Sequence, residues 1–407
     1  MKCRACASAL TLPLIDLGTA PPSNAYLKAS QLNASETWLP LRVLVCEQCW
    51  LVQTEDYRAA DSLFAEDYAY FSSYSRSWLA HAEAYVAAMV QRFALNAQSK
   101  VVEIAANDGY LLQYVQARGI PCLGVEPTAS TAQAARSKGL QIEELFFGRA
   151  SAQQLAERGW QADLMAANNV LAHVPDINDF LQGFAVLLKP TGVATFEFPH
   201  LLALMAQAQF DTLYHEHYSY LSLTAVQGLL QRNGLQLFDV ERLPTHGGSL
   251  RIYVQRQNGA QTVQPTVASV LHEEQAAGVT TPAYYASLAP AAEQIKHALL
   301  RFLLDAKQAG RRVVGYGAAA KGNTLLNYAG VRSDLLAWVA DANPHKQGQY
   351  LPGSRIPIVA PERILAEQPS DILLLPWNLQ AELTELLADT QRWGARLWVA
   401  VPQLRCL

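Results

Sequence analysis

Charge is sparse in this sequence: only 16% of its 407 residues are Asp, Glu, Lys or Arg, where a soluble domain usually carries about 25%. A basic surplus is absent as well, with 31 Lys plus Arg against 35 Asp plus Glu and a formal net charge of −4. Nothing is left over to neutralise a phosphate backbone, which excludes a general nucleic-acid binder. Long apolar runs are missing too. The longest, such as Ile372-Leu-Leu-Leu-Pro-Trp377, fall far short of the ~20 residues a spanning helix needs. The opening Met1–Ala9 stretch has its small residues before the apolar segment, the reverse of a signal peptide. A soluble, cytoplasmic chain is the expectation, without a membrane partner. With 51% hydrophobic residues the chain is too apolar for long disordered tails, and its length calls for two or three domains. No heptad or exposed apolar strip stands out, so a monomer is expected.

Cysteine is also rare, and four of the six form two Cys-x-x-Cys units, Cys3–Cys6 and Cys46–Cys49. Each unit sets two thiolates on one tight knuckle, and two knuckles complete a tetrahedral zinc site with no open position for chemistry. The separation between the units exceeds that of a common zinc ribbon, so a small lobe is inserted between them. Redox pairs are the weaker alternative in a reducing compartment. Cys122 and Cys406 read as a buried strand residue and a tail residue.

After an amphipathic helix near Ser77–Leu95, Lys100–Leu112 reads as strand, tight turn and helix start, and Cys122–Pro127 as a second strand ending in an acid. This is the half-fold of dinucleotide-type domains. Its turn, however, lacks Gly-x-Gly-x-x-Gly and carries Glu103, Ala105, Asn107, Asp108 and Gly109 instead. Carboxylates there repel a pyrophosphate but suit a ligand bearing a cation and ribose hydroxyls, such as S-adenosylmethionine. Glu126, followed by Pro127, is placed to accept the ribose hydroxyls. Asp163–His173 is the fourth strand and its exit, with Asn168 and Asn169 where the methyl group would lie.

Phe210–Tyr220 packs two His, one Glu, one Asp and three Tyr into eleven residues. Three readings are open: a metal site at His215, Glu216 and His217, a general-base site tuned by a neighbouring carboxylate, or a buried aromatic cluster. His-x-His converges on one ion only off a helix, because helical side chains two apart diverge. His173 faces the same cleft at the carboxyl ends of the strands. His246 and Ser249 are further cleft candidates, though a hairpin turn explains the adjacent glycines equally well.

Gln255–Pro265 reads as a linker, followed by a helical stretch near Pro282–Gly310. Arg311–Leu326 is again strand, glycine turn and helix, here with Gly315, Gly317 and Lys321. A phosphate suits this second loop, with the helix amino end beyond it. NAD is the simple guess, but Gly-x-Gly-x-x-Ala alone is a weak signal. Ala337–Asp341 ends in an acid, and Ile372–Asn378 and Arg396–Val401 supply later parallel strands.

Taken in order, Cys3/Cys6/Cys46/Cys49, Glu103–Gly109, Asn168–His173, Tyr214-His-Glu-His217 and Gly315–Lys321 resemble the three-domain deoxysugar C-methyltransferases of nucleotide-sugar pathways. The resemblance covers essentially the whole chain. It implies an α/β protein with a zinc-binding domain at 1–65, a Rossmann-like S-adenosylmethionine domain at 66–258 and a second Rossmann-like domain at 259–407. It also implies methylation of a nucleotide-linked, dTDP-type 4-keto-6-deoxysugar, at carbon 3 or, in relatives, carbon 5. By motif position His217 is the general base; His173, Tyr214 and Glu216 contact the sugar, with Tyr68 or Tyr70 nearby and His215 beside them. The nucleotide diphosphate rests near Gly315, Gly317 and Lys321, which removes the need for NAD. Methylation of another keto compound or of an oxygen, and a non-catalytic zinc and nucleotide binder, are the competing readings.

Overall fold

The computed structural model describes residues 1–57 and 71–407, so Tyr68 and Tyr70 lie outside the described residues. Strands β1 (Leu12–Ala20), β2 (Leu39–Val45) and β3 (Val52–Thr54) form an antiparallel meander. One cysteine knuckle precedes β1 and the other fills the turn between β2 and β3. Alternation along β2 buries Leu41, Val43 and Val45, as a sheet with one covered face requires.

The central sheet contains β4 (Val101–Ile104), β5 (Cys122–Val125), β6 (Ile142–Glu143), β7 (Ala162–Asn168) and β8 (Leu188–Pro199). All five run parallel. Their apolar runs are near-continuous because helices cover both faces. Helices Arg76–Arg92 and Ala129–Ser137 contribute Tyr85, Met89 and Ala132 to one core, and helices Ile177–Leu187 and Leu223–Arg232 contribute Phe184 and Leu229 to the other. After β8 the chain leaves this sheet, and the two-residue β9 (Ser219–Tyr220) pairs with β3 of the first. Strands β10 (Leu235–Leu243) and β11 (Ser249–Arg256) then return, giving the order β10-β11-β8-β7-β4-β5-β6.

The third sheet has the order β14-β13-β12-β15-β16-β17, from β12 (Val313–Tyr316), β13 (Val339–Ala340), β14 (Ile358–Val359), β15 (Asp371–Leu374), β16 (Arg396–Val399) and β17 (Arg405–Cys406). Cys406 is therefore on an exposed antiparallel edge strand rather than in a tail, and Cys122, expected buried, is half-buried at the start of β5. The first sheet shares its core with this unit: Leu14, Leu17, Val43 and Val45 join Leu288, Ile295 and Leu299 of helix Leu288–Gln308. No helix among the described residues is long and apolar enough to cross a membrane.

Helix Pro265–Ala277 was not legible as a separate element after the linker. It delivers the fully buried Glu274 to the amino end of helix Leu223–Arg232, where its carboxylate accepts from Leu223 N (2.6 Å), Thr224 N (2.8 Å) and Thr224 Oγ1 (2.6 Å), with His200 Nε2 at 2.6 Å. Burial alone would raise this carboxyl, but His200 and Thr224 outweigh it and hold it below the ordinary range. The stabilisation is therefore complete above the unfolded value near 4.3 and is lost as pH falls through the lower folded value. Glu274→Ala is expected to cost about 3–5 kcal/mol in urea unfolding at pH 7, with the gap to the native protein closing in acid.

Candidate active site

The four cysteine sulfurs lie within 4.8 Å of one another, with Cys3 Sγ 3.6 Å from Cys49 Sγ and Cys6 Sγ 3.5 Å from Cys46 Sγ. A tetrahedron of thiolates at ~2.3 Å from zinc places sulfurs about 3.8 Å apart, so the donor set fits that ion. Both knuckles close alike: Ala7 N donates to Cys3 O and Trp50 N to Cys46 O, each at 2.8 Å, and both turn residues are left-handed (φ 62° and 59°). Gln53 Nε2 donates to Cys3 Sγ at 3.2 Å, an outer contact that orients the ligand.

A cavity of about 1140 Å³ opens at the carboxyl ends of β4, β5, β7 and β8 and, opposite, at those of β12, β13 and β15. Both open sheets reverse their strand order beside this space, which is where α/β sheets bind ligands. On the central side, Ala105, Asn107, Glu126, Pro127, Asn168 and Asn169 line it. Glu126 holds the turn by accepting from Asn107 N (2.8 Å) and Thr128 N (2.9 Å), and burial raises its carboxyl. Ala105, Asn107 and Asn169 are left-handed (φ 56°, 50° and 57°), the kind of backbone strain that gathers at sites. The amide of Asn168 and Oδ1 of Asn169 are buried with no hydrogen-bond partner among the described residues. That orphaned polarity suits a ligand with hydroxyls and an ammonium group.

Glu103, Asp108 and Gly109 do not reach the lining. Burial pushes the Glu103 carboxyl well above its ordinary range, which weakens the electrostatic case made for it. Asp108 Oδ2 accepts instead from Ser73 N (3.3 Å), and a Cβ on Gly109 would strike Leu140.

His217 and Tyr214 line the cavity from the irregular Leu213–Tyr218 loop, beside His173. His217 Nδ1 lies 2.9 Å from Thr212 O and can only donate there, so Nε2 carries the lone pair and accepts from Tyr214 Oη at 2.7 Å. His173 Nδ1 likewise donates to Glu216 O at 2.7 Å, and the two imidazoles meet edge-on with centroids 4.5 Å apart. Burial pushes His217 well below the ordinary imidazole range and His173 down to about 4. His215 and Glu216 point elsewhere: His215 Nε2 donates to Pro40 O (3.1 Å), and Glu216 Oε1 accepts from Asn24 N (3.1 Å) and Nδ2 (3.3 Å). The three side chains do not converge on a point, so the metal reading of this cluster fails.

From the third unit, Lys321 faces the cavity at the start of helix Ala320–Ala329. Its Nζ donates to Asn378 Oδ1 at 2.6 Å and sits 4.5 Å from the Trp377 ring centroid, while Trp377 Nε1 donates to Asp211 Oδ2 at 2.7 Å. Burial lowers Lys321 to about 8, opposed by Asp211, whose carboxyl burial raises to about 6. Gly315 and Gly317 are outside the lining: a Cβ on Gly315 would meet Val339, and one on Gly317 (φ +86°) would meet Pro376. Close packing against Val339 and Pro376 is what these two glycines permit. Ser249 is buried and donates to Thr245 O, also away from the cavity, whereas His246 lines it with burial lowering its imidazole to about 4.

Several lining residues escaped the sequence reading. Trp78 stacks on His81 (4.9 Å) and Tyr110 (5.8 Å) and meets His246 edge-on. His81 Nε2 in turn bonds the buried Glu197 at 2.8 Å, which Arg251 also holds at 2.9 Å. The only signal was Trp78 and His81 sharing a face of an Ala-rich helix at spacing three. Asn24, from the loop after β1, carried none.

Three family models match the chain: "Putative zinc binding domain" over residues 3–64, "Methyltransferase domain" over 78–240 and "C-methyltransferase C-terminal domain" over 244–402. Over 406 residues the chain is 32% identical to the C-methyltransferase NovU of Streptomyces niveus, covering 100% of this chain and 96% of that protein. Among solved structures, magnesium protoporphyrin IX methyltransferase from Synechocystis is 15% identical and matches 44% of this chain and 79% of its own, at a TM-score of 0.34. A protein from Pyrococcus horikoshii is 15% identical over 46% and 94%, at 0.38. Overlaps at those scores carry no argument. The full-length match does: the chain belongs to the C-methyltransferase family. It is an S-adenosylmethionine-dependent enzyme with a zinc-binding cysteine module.

One zinc per chain is expected by atomic absorption. Stripping it with a chelator should lower the melting temperature, and Cys46→Ser should bind less than a stoichiometric amount.

Proposed function

We propose that this enzyme methylates carbon 3 of a nucleotide-linked, dTDP-type 4-keto-6-deoxysugar, with His217 as the general base, and that it works in the cytoplasm. The observation that carries this reading is the neutral His217 in the cavity lining, its Nδ1 fixed by the Thr212 carbonyl so that Nε2 keeps the lone pair, which the Tyr214 hydroxyl meets at 2.7 Å. A binding module has no need of a base so placed.

Glu126, Asn107, Asn168 and Asn169 would hold S-adenosylmethionine at the central sheet. When bound, it supplies an electrophilic methyl group to the face of the sugar carbon opposite the base, so that the carbon is inverted. The chain's own residues do the rest. His217 Nε2 takes the proton α to the ketone, displacing the Tyr214 hydroxyl that it accepts from in the resting site. A buried imidazole is a weak base, but the imidazolium and the enolate form together and offset one another's charge in a cavity of low dielectric. Tyr214 and His173, beside the base, contact the keto end of the sugar. Lys321 faces the diphosphate across the cavity, and with a basic group of this kind no NAD is required. Holding both reactants in line contributes up to about 7–11 kcal/mol of the acceleration.

Deuterium uptake from D₂O into a dTDP-4-keto-6-deoxysugar, read by mass spectrometry against an enzyme-free control, tests this. Exchange above the control should fall about a hundredfold or more in His217→Ala, and donor should add the mass of one methyl group. Undiminished exchange in His217→Ala refutes the assigned base. Neither exchange nor methyl gain on dTDP- or GDP-linked keto sugars refutes the substrate class.

The dependence of kcat/KM on pH reports the free enzyme. Because burial depresses His217, the acid limb should fall below the ordinary imidazole value near 6.5. Lys321, titrating near 8, should set an alkaline limb there that Lys321→Met removes.

A further inference from the structure

We propose that the cysteine centre is a positioning device for the two cavity histidines, and that Arg4 and Thr54 connect it to them. This rests on the reading of His217 as the base.

Arg4 lies inside the first knuckle, between the ligands Cys3 and Cys6, and its side chain is only 4% exposed. The guanidinium reaches both histidine loops. Nη1 donates to Pro175 O (3.2 Å), two residues past His173, and the group lies 5.1 Å from the ring centroid of Tyr218, the residue after His217. Nη2 donates to Thr54 O and Asp56 Oδ1, both at 2.8 Å. On the main chain of the same knuckle, the carbonyls of Arg4 and Ala5 accept from Asn178 Nδ2 (3.0 and 3.2 Å).

The second connection runs through β3. Gln53 joins its Nε2 to Cys3 Sγ and accepts from Arg4 N at 3.0 Å, so the strand is tied to the knuckle from both sides. The next residue, Thr54, donates its hydroxyl to His217 O at 3.0 Å and its N–H to Tyr218 O at 3.2 Å. Tyr218 N then donates to Ala172 O at 2.8 Å, beside His173. Neither histidine sits in an α-helix or a strand of the central sheet, and β9 has only two residues, too few to hold a loop by itself. The anchoring therefore comes from the module underneath. These bonds fix the backbone at both imidazoles, and the backbone fixes where the Nε2 lone pair points. A misplacement of about 1 Å at such a group can cost about a hundredfold in rate.

The test uses the full-length, zinc-loaded enzyme. Thr54→Val keeps the branched shape but loses the bond to His217 O; Thr54→Ser restores it; Arg4→Met keeps the stem and loses the donors. Thr54→Val and Arg4→Met should each lower kcat about tenfold to a hundredfold. Zinc content and the Kd for S-adenosylmethionine should stay unchanged, and the His217 imidazole ¹⁵N resonances should shift. Thr54→Ser should recover most of kcat and the native resonances. Native kcat and unshifted imidazoles in both Thr54→Val and Arg4→Met overturn the proposal, leaving the metal a matter of stability alone. Loss of kcat that added zinc restores in full overturns it too, because ligand loss then explains the effect. The underlying reading fails separately: His217→Ala would keep turnover whatever Thr54→Val does.

Discussion

Two rungs of antiparallel ladder, Val52 to Tyr220 and Gln53 to Ser219, bind the cysteine module to the loop that carries His217. Much else in the architecture follows from that short pairing. It pulls the chain out of the central sheet after β8 and leaves the His217 loop with the module beneath it. The module's other face is buried in the core of the third unit, so its position is set from both sides. The two open sheets consequently face one another across a common cavity, each offering its switch point. A methyl donor and a bulky acceptor can then meet between sheets that lie far apart along the chain.

The cavity walls share one electrostatic tendency. Burial pushes imidazoles down, the carboxyls of Glu126 and Asp211 up, and the Lys321 ammonium down. Each shift disfavours the charged form, as desolvation does. The proposed proton abstraction next to a ketone would use this: the imidazole is neutral at neutral pH, and charge would arise chiefly as a pair during the step. The Glu197 cluster is the exception. His81, Thr245 and Arg251 satisfy that carboxylate and keep it below the ordinary range although it is fully buried.

Where local chemistry demanded a residue type, the sequence was easy to read. Paired Cys-x-x-Cys units have few uses, and the four sulfurs do cluster. Strand, turn, strand and acid led to Glu126 and Asn168, because a β-strand delivers its carboxyl end to one side of a sheet whatever surrounds it. Reading failed where several contacts compete for one side chain. Within Tyr214-His-Glu-His217, adjacent positions point in different directions along an irregular loop, so His215 and Glu216 brace the module while His217 reaches the cavity. Gly315 and Gly317 looked like a phosphate cradle, yet Val339 and Pro376 occupy the space that a Cβ would take.

The sequence by itself determined the metal-ligand set, the two strand–turn–helix units and the histidine-rich segment that borders the cavity, because each is written in residues close along the chain. Only the tertiary structure decided which of His215 and His217 faces the cavity, which tautomer it holds, and that Arg4 and Thr54 contact its loop. Those outcomes depend on contacts between residues far apart along the chain, such as Arg4 and Pro175, 171 positions apart. Local spacing carries no record of such contacts; they exist only once the three cores have packed.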